Sequence, residues 1–352
     1  MGAKCTCFQG STDRKQELEK ALSRNITPAS TPMEPLDYPE EPVALSQLHP
    51  RVRDLFELIK TKPQITDISL AGKELGNQGA LHLGIIIEHT PELRALDVSC
   101  CFIQWEGMAN IGLSLRRLRQ LQVLKLSGND LGLKGAQYLA SALTFLHDMK
   151  TLALNETNLG PKGMRLIAHR LKDTPDLEEL LLCKNALGDE GGEELSKFLG
   201  KCPSLQLLDL SYNGLKDCFP SLQRALRKLC ILQVLKLDGN VLGDEGARAI
   251  SETLGKLSTL CHLDLSYNEL TYEGIESLQS AFAGLLALRE LFLEGNYVGR
   301  QGAHSLAAAV SGLAALRVIG LANCGVNEAR TEIRLAAPKV DILLYPSLPH
   351  FR

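Results

Sequence analysis

One pattern of apolar residues returns along most of the chain at an almost constant interval. Residues 205–215, LQLLDLSYNGL, fit the template L-x-x-L-x-L-x-x-N-x-L. Ten matches to this template follow one another, and successive matches open 28 residues apart except for one interval of 27. They open at Ile65, Leu93, Leu121, Met149, Leu177, Leu205, Leu232, Leu260, Leu288 and Leu316, and we number the repeats one to ten in that order. A unit this short cannot bury its own apolar face, so the pattern predicts a stack of units that share one continuous core.

Each repeat predicts a short strand, a sharp turn and a helix. In residues 121–131, Leu124 and Leu126 occupy alternate positions, which is the period of a strand with one buried face. Asn129 follows where the chain must turn, and we expect its amide to bond the backbone of the neighbouring turn. Apolar residues at helical spacing then fill 136–143. The unit is therefore strand, turn, helix, turn.

Two further positions recur with the same interval. The turn position forms a ladder of Lys73, Cys101, Asn129, Thr157, Asn185, Asn213, Asn240, Asn268, Asn296 and Cys324. Lys73 does not suit a buried rung, so we expect a solvated or irregular first turn. A Gly four residues past the last Leu, as at Gly135, predicts a helix start too close to its neighbour for a Cβ. Repeat six has Phe219 and Pro220 there, which predicts a distorted helix.

The repeat length and the tail sequence LGDEGA at 242–247 carry a family resemblance. Residues 65–328 resemble the ribonuclease-inhibitor-like class of leucine-rich repeats, which Ran GTPase-activating proteins and the repeat domains of immune receptors share. The resemblance implies an α/β solenoid of horseshoe shape with about ten repeats plus terminal caps. Parallel strands are expected on the concave face and helices on the convex face.

The segments outside the array differ from it in composition. We predict that residues 1–10 form an acylated anchor and that residues 11–42, with five prolines from position 28 onward, form a flexible tether. Residues 43–64 predict a helix that caps the first repeat, because an outermost repeat otherwise exposes its core. Residues 329–352 are expected to hold an irregular closing strand followed by a tail.

The first residues, MGAKCTCF, predict lipidation. Gly2 followed by Thr6 fits the N-myristoylation pattern, in which the unhindered amine of Gly2 is acylated after Met1 is removed. A single myristoyl chain binds membranes only reversibly, so a second signal is needed. Cys5 and Cys7 are placed to carry palmitoyl groups. The sequence thus predicts a peripheral protein on the cytosolic face of a membrane, either the plasma membrane or a ciliary membrane.

Composition excludes several classes of protein. The net charge of −3, with both signs mixed, argues against nucleic-acid binding. A membrane span needs about 18 or more apolar residues, and no such stretch is present. The ten cysteines have no paired spacing and no secretory signal precedes them, which predicts reduced, interior thiols in the cytoplasm. No motif for catalysis, a metal, a cofactor or a small-molecule substrate is found, so we predict a protein that is not an enzyme.

The remaining candidate for function is the concave sheet of repeats six to nine. Residues between the template leucines face that hollow, and adjacent strands lie about 4.8 Å apart. Acidic and aromatic side chains interleave there, which suits a protein partner that carries Arg or Lys. The predicted partner-binding residues are Asp209, Tyr212, Lys236, Asp238, His262, Asp264, Tyr267, Glu290, Phe292 and Glu294. The alternative is an ordinary solvated sheet face.

The leading hypothesis is therefore a non-enzymatic interaction scaffold or adaptor, tethered to a membrane by its acylated N-terminus. The alternative is a regulator of small GTPases, because Ran GTPase-activating proteins share this repeat class. Inhibition of a secretory-type ribonuclease fits poorly with ten cysteines and a charge of −3. A complete immune receptor is excluded because the chain lacks the nucleotide-binding loop G-x-x-x-x-G-K-[ST].

Overall fold

The computed structural model describes residues 48–61, 64–326 and 330–344. Within them, strands and helices alternate from the first repeat to the last. The strands are β1 Asp67–Ser69, β2 Ala95–Asp97, β3 Val123–Lys125, β4 Thr151–Ala153, β5 Glu179–Leu181, β6 Leu207–Asp209, β7 Val234–Lys236, β8 His262–Asp264, β9 Glu290–Phe292, β10 Val318–Gly320 and β11 Asp341–Leu343. The helices are α1 Pro50–Thr61, α2 Gly76–Ile87, α3 Trp105–Leu115, α4 Gly132–Leu143, α5 Gly160–Leu171, α6 Gly188–Leu199, α7 Phe219–Leu226, α8 Gly243–Leu254, α9 Tyr272–Phe282, α10 Gly299–Val310 and α11 Arg330–Ala336.

The strands form one parallel sheet in the order of the sequence, from β1 to β11. Each strand pairs with the equivalent position of the next repeat, as where Leu96 faces Leu124. The helices pack side by side in a second layer, each against the helix of the next repeat. The predicted solenoid, with parallel strands on one face and helices on the other, is confirmed.

The core lies between the sheet and the helices. The middle residue of each repeat strand is buried, from Ile68 in β1 to Ile319 in β10, and so are the template leucines that follow, such as Leu126. Full burial of one such side chain stabilises the fold by about 1.5–3 kcal/mol. The regular spacing of leucines is therefore what fixes each strand in its place.

The ladder of turn residues forms as the sequence predicts. At Asn240, which is buried, Oδ1 accepts hydrogen bonds from the backbone N–H of Asn213 (3.0 Å) and of Leu215 (3.1 Å). Its Nδ2 donates to the carbonyls of Leu210 (3.1 Å) and Leu237 (2.8 Å). Each rung thus joins two repeats. Where another residue replaces Asn in the ladder, its side chain also bonds a backbone carbonyl. Thr157 Oγ1 donates to the Leu154 carbonyl, and Cys101 Sγ donates to the Leu70 carbonyl. Lys73, at the first position of the ladder, is exposed.

The recurrent glycines are crowded by two sets of atoms. A Cβ at Gly302 would lie 3.2 Å from Cα of Tyr272, on the neighbouring helix, as the sequence led us to expect. The same Cβ would lie 2.9 Å from the Val298 side chain of its own repeat, and at Gly135 the nearest obstacle is Leu131, also in its own repeat. The glycine therefore makes room for the last apolar residue of the template as well as for the helix of the preceding repeat.

Repeat six carries the shortest helix among repeats one to nine. Helix α7 spans 8 residues, whereas α6 and α8 each span 12. Phe219 opens α7 and is fully buried, and its ring lies 3.1 Å from where a Cβ on Gly246 would be. The distortion that Phe219 and Pro220 predict is therefore a delayed helix start.

Both ends of the array hold additional elements. Helix α1 lies within residues 43–64 and buries Val52, Leu55 and Ile59. At the other end, β11 pairs in parallel register with β10, with Val318 facing Asp341. The strand expected there as irregular is thus a regular member of the sheet. In the described part of the chain, no helix is long and apolar enough to cross a membrane.

Candidate functional site

Repeats six and eight share the five residues DLSYN, at 209–213 and 264–268. The repeats that follow them carry an acid and a glycine at the position of Ser and Tyr, as Asp238-Gly239 in repeat seven and Glu294-Gly295 in repeat nine. Because the strands follow the order of the sequence, the two kinds of repeat alternate along one surface. Most of the predicted partner-binding residues lie at the ends of these four strands or in the turns that follow.

The strand register brings charges of both signs together. Lys236 on β7 faces Asp209 on one side and Asp264 on the other, and Phe292 on β9 comes next. The turns after β7 and β9 add Asp238 and Glu294. Repeats six to nine therefore carry Lys236 together with four carboxyl groups, those of Asp209, Asp238, Asp264 and Glu294. We call these four residues the acidic surface.

Ser211 joins two of these carboxyl groups. Its backbone N–H (3.0 Å) and its Oγ (2.7 Å) both donate to Oδ1 of Asp209. The same Oγ also contacts Oδ1 of Asp238. A hydroxyl has one proton, so it cannot donate to both carboxylates at once. Burial, and then the negative charge of Asp209, raise the pKa of Asp238, and a proton on that carboxyl would satisfy the second contact.

The equivalent residues in repeat eight keep the hydrogen bond from the Ser backbone to the Asp but not the contact that joins two carboxyl groups. The backbone N–H of Ser266 donates to Oδ1 of Asp264 (3.0 Å), and Ser266 Oγ accepts from the backbone N–H of Glu294 (3.1 Å). Burial, and then the negative charge of Asp238, raise the pKa of Asp264 to about 7. The ionised form of this carboxyl is thus disfavoured, because the surrounding residues supply too little positive charge to offset its burial.

Tyr212 and Tyr267 stand at the rim of the acidic surface in left-handed backbone conformations, with φ of 54° and 53°. Their backbone N–H groups donate to the carbonyls of Asp238 (2.7 Å) and Glu294 (2.6 Å) in the next repeat. Each ring packs over the glycine of that repeat, Gly239 or Gly295, and leaves 45% and 41% of the residue exposed. The two aromatic rings are therefore fixed before any partner arrives.

His262, Glu290 and Phe292 form a neighbouring group. His262 Nδ1 lies 2.7 Å from Glu290 Oε2, and the His262 and Phe292 rings lie 5.3 Å apart between centroids. Burial lowers the pKa of His262, although the hydrogen bond to Glu290 acts in the opposite direction. The contact with Glu290 thus holds the ring of His262 in one orientation.

The structure differs from the sequence prediction in how far some of these side chains are exposed. Phe292 is only 8% exposed and Glu294 only 3%, because both lie against Gly320, where a side chain would collide with them. Asp209 is buried as well. Sequence reasoning also missed Ser211 and Ser266, although their presence in both copies of DLSYN was a usable signal.

Of the cysteines in the described ranges, four are buried, Cys183 and Cys261 are half-buried, and two are exposed. Cys101, Cys202, Cys218 and Cys324 are buried, and burial raises the pKa of Cys202 to about 12. Cys100 and Cys230 are exposed, so the expectation of interior thiols is wrong for these two. Among the described residues, no three His, Cys, Asp or Glu side chains are grouped as a metal ion would require.

The predicted lipidation sites Gly2, Cys5 and Cys7, and the whole of the anchor and tether, lie outside the described residues. Their proposed roles rest on the sequence alone.

Comparison with models of protein families finds a match to four stretches of the repeat array. A family model described as "Leucine Rich repeat" matches residues 118–140, 201–217, 228–251 and 256–278. Among curated protein sequences none matches significantly.

Similar solved structures include the complex of Rad7 and Elc1 from yeast, at 17% identity and a TM-score of 0.56, where the match covers 81% of this chain and 72% of the other. An internalin, inlF, from Listeria monocytogenes matches at 15% identity and a TM-score of 0.47, over 88% of this chain and 99% of the other. The template, the strand order and the family match agree, and the chain has the fold of a leucine-rich repeat solenoid.

Proposed function

We propose that this protein is a non-enzymatic interaction scaffold whose concave surface in repeats six to nine binds a protein partner. The observation that carries the proposal is the pair of exposed tyrosines, Tyr212 and Tyr267, held in fixed positions beside the acidic surface. Tyrosine is enriched at the energetic centres of protein interfaces. A rigid ring also loses little conformational freedom on binding, so its contacts contribute more to affinity.

The charge of the surface indicates the kind of partner. The pKa of Asp264 and that of Asp238 are raised mainly by burial, so both carboxyl groups lack sufficient positive charge nearby. Lys236, which lies between the strands of Asp209 and Asp264, is the cation that the described part of this surface contributes. A partner that brings Arg or Lys would stabilise the ionised carboxylates and gain cation–π contact with the tyrosine rings.

Substitution of the two tyrosines tests this proposal. We expect Tyr212→Ala with Tyr267→Ala to lose the partners that the full-length wild type captures, because the double variant removes both fixed rings. Tyr272→Ala is the matched control, since this exposed tyrosine opens helix α9 in the other layer. Partners retained by the double variant and lost by the control would contradict the proposal.

We further propose that the scaffold acts at the cytosolic face of a membrane, through myristoylation of Gly2 and palmitoylation of Cys5 and Cys7. The support is the sequence pattern at the N-terminus together with the need for two acyl chains in stable attachment. The Gly2→Ala variant is expected to move from the membrane pellet to the supernatant. A Gly2→Ala protein that still sediments with membranes would end this part of the proposal.

Regulation of a small GTPase is the alternative, and it rests on the resemblance in repeat class alone. Measuring GTP hydrolysis by a panel of small GTPases with and without the protein separates the two functions. The scaffold proposal predicts unchanged hydrolysis rates, whereas acceleration of any member would favour the alternative.

A further inference from the structure

Each of repeats one to nine has a loop of seven residues between its helix and the next strand. We define the basic edge as the loops of repeats five to nine, which are residues 200–206, 227–233, 255–261, 283–289 and 311–317. These five loops contain six basic residues and no acidic residue. The basic residues are Lys201, Arg227, Lys228, Lys256, Arg289 and Arg317, and all six are exposed.

The loops of repeats one to four occupy the same place in the fold but have no excess of positive charge. Residues 88–94, 116–122, 144–150 and 172–178 together contain six basic and six acidic residues. All nine loops follow the C-terminus of a helix, where backbone carbonyls favour a nearby cation. The helix dipole is common to both sets of loops, so it does not account for the difference between them.

Hydrogen bonds between successive loops hold the basic edge in register. The backbone N–H of Gln233 donates to the carbonyl of Gln206, and that of Cys261 to the carbonyl of Gln233, both at 2.8 Å. The N–H of Arg289 donates to the carbonyl of Cys261, and that of Arg317 to the carbonyl of Arg289, also at 2.8 Å. The five loops therefore form one continuous row, about 20 Å long beside the strands and about 40 Å long beside the helices.

One acidic residue outside the loops pairs with the basic edge. Glu252 on α8 has Oε2 3.3 Å from Nη2 of Arg227 and Oε1 2.6 Å from Nζ of Lys256. Glu290 follows the fourth loop, but it contacts His262 on the concave side. Subtracting Glu252 from the six cations leaves a net charge of +5 on the basic edge, in a chain whose net charge is −3.

Two large apolar side chains are exposed among these cations. Ile231 is 43% exposed and Leu286 is 69% exposed. The five loops contain no Phe, Tyr or Trp, on which a protein would stack the bases of a single-stranded nucleic acid. Aliphatic side chains beside Lys and Arg suit the headgroup region of an anionic bilayer. The composition of the basic edge therefore favours lipid over nucleic acid.

We propose that the basic edge lies against an anionic membrane surface, with Ile231 and Leu286 entering the headgroup layer. The inference rests on the proposed attachment to a membrane and adds the surface of the array that the lipid contacts. Attachment by one acyl chain is marginal, and a basic surface is one of the second signals that make it stable. The acidic surface lies at the opposite ends of the same strands, so this orientation leaves the concave site accessible to a protein partner.

Vesicle flotation with the full-length Gly2→Ala protein, purified from bacteria, tests the basic edge without a contribution from acyl chains. Vesicles of phosphatidylcholine alone are compared with vesicles that contain about 30% phosphatidylserine. In low salt we expect at least about fivefold more protein on the phosphatidylserine vesicles, because their surface potential attracts Lys and Arg. Physiological salt should remove most of this difference, because counter-ions screen the attraction.

Charge reversal locates the contact. Lys228→Glu with Arg289→Glu should reduce binding to the phosphatidylserine vesicles to the level seen with phosphatidylcholine alone. Lys162→Glu with Arg300→Glu is the matched control, because it changes the net charge equally at exposed positions near the starts of helices α5 and α10. These two residues lie at the opposite end of the helix layer, so the control should keep the preference for phosphatidylserine.

The apolar side chains distinguish a bilayer from other anionic partners. Ile231→Ser with Leu286→Ser should lower binding to the phosphatidylserine vesicles at least about twofold and leave its salt dependence unchanged, since insertion into the headgroup layer does not depend on charge. A single-stranded oligonucleotide that binds more tightly than the vesicles, with no effect of the serine variant on either, would assign the basic edge to nucleic acid.

Two further results would overturn the inference. One is equal binding of the Gly2→Ala protein to both kinds of vesicle in low salt, and the other is an equal loss of binding in the two charge-reversed variants. Thermal melts establish that each variant is folded, and the lipid preference of the Gly2→Ala protein decides the matter without any of them. Release of Gly2→Ala from cell membranes at physiological salt tests acylation separately, so either claim can fail while the other stands.

Discussion

The ring of Tyr212 lies against the backbone of Gly239 in the next repeat, so closely that a methyl group on Gly239 would overlap its Cδ1 and Cε1 atoms. Tyr267 and Gly295 repeat this relationship two repeats later. Glycine at 239 and 295 is therefore part of the surface, because it is the floor on which each exposed ring rests.

Gly239→Ala is expected to destabilise the fold and to displace the ring of Tyr212. Gly239 has a φ of 65°, which costs about 1–2 kcal/mol for a residue with a Cβ, and the overlap with the ring adds about 1–3 kcal/mol. Gly214→Ala is the control, since Gly214 also has a φ of 65° but no atom within 4 Å of the added Cβ. Denaturant melts should show a larger loss for Gly239→Ala.

A double variant isolates the contact between these two residues. In the Tyr212→Ala background, Gly239→Ala should cost no more than Gly214→Ala, because the ring that it would strike is gone. An undiminished cost in that background would mean that Gly239 is needed for a reason other than Tyr212.

Asn240→Ala is expected to weaken the whole array. The substitution leaves the backbone N–H groups of Asn213 and Leu215 without their partner, and each buried polar group left unsatisfied costs about 1–3 kcal/mol. The two carbonyls that Asn240 bonds keep a hydrogen bond from a neighbouring rung of the ladder. Asn158→Ala is the control, because Asn158 is exposed and bonds the side chain of Asp130. A comparable loss of stability in both variants would contradict the ladder as a buried support.

Stability should fall as pH rises through neutrality because of Asp264. Its pKa is about 7 in the folded state and ordinarily 3.8, so between these values the folded protein binds more protons than the unfolded chain. Stability from this group is complete below about pH 4 and is lost as pH passes 7. Asp264→Asn, which cannot ionise, should melt several degrees higher than the wild type at pH 8 and by a smaller margin at pH 4.

Asp97→Asn controls for the loss of a hydrogen bond to Ser, because Ser99 donates to Asp97 as Ser266 donates to Asp264. Thermal melts of both variants across pH 4 to 8 check the prediction. An Asp264→Asn protein with a Tm below that of the wild type at pH 8 would show that the carboxylate is stabilising there, and the stated direction would be wrong.

Asp189→Ala should loosen the start of helix α7. Asp189 lies in α6, and its Oδ1 accepts from the backbone N–H of Lys216 (2.8 Å), Asp217 (2.8 Å) and Cys218 (3.1 Å) just ahead of α7. Loss of a helix cap costs about 0.5–2 kcal/mol. Hydrogen exchange should accelerate in residues 216–226, whereas Glu190→Ala, an exposed neighbour, should leave it unchanged.

The leucine pattern was sufficient to predict the strands, the helices and the ladder, because the roles of residues such as Leu124 and Asn240 depend only on the next repeat being the same. The cap that Asp189 provides could not be read in this way. Its target is the start of the following helix, 27 to 29 residues later, and no local capping motif marks it. Long-range partners are invisible to patterns that compare each residue with its near neighbours.

The candidate site was predictable in position but not in its chemistry. The sequence placed Asp209, Asp264 and the two tyrosines on the concave side of the array. It did not indicate that Glu294 would be buried against Gly320, or that Ser211 would bridge two carboxyl groups. Burial depends on the curvature of the sheet and on neighbours one repeat away, so the pKa of Asp264 had no signal in the sequence.

Site-specific photo-crosslinking tests most directly whether the concave surface of repeats six to nine is where a protein binds. A photoreactive phenylalanine analogue at Tyr212 is compared in cells with the same analogue at Leu133, which is exposed on helix α4 of the other layer. We predict a discrete protein adduct from position 212 that is lost when Asp209 and Asp264 are changed to Asn, and none from position 133. An adduct at position 133 with none at position 212 would contradict the account.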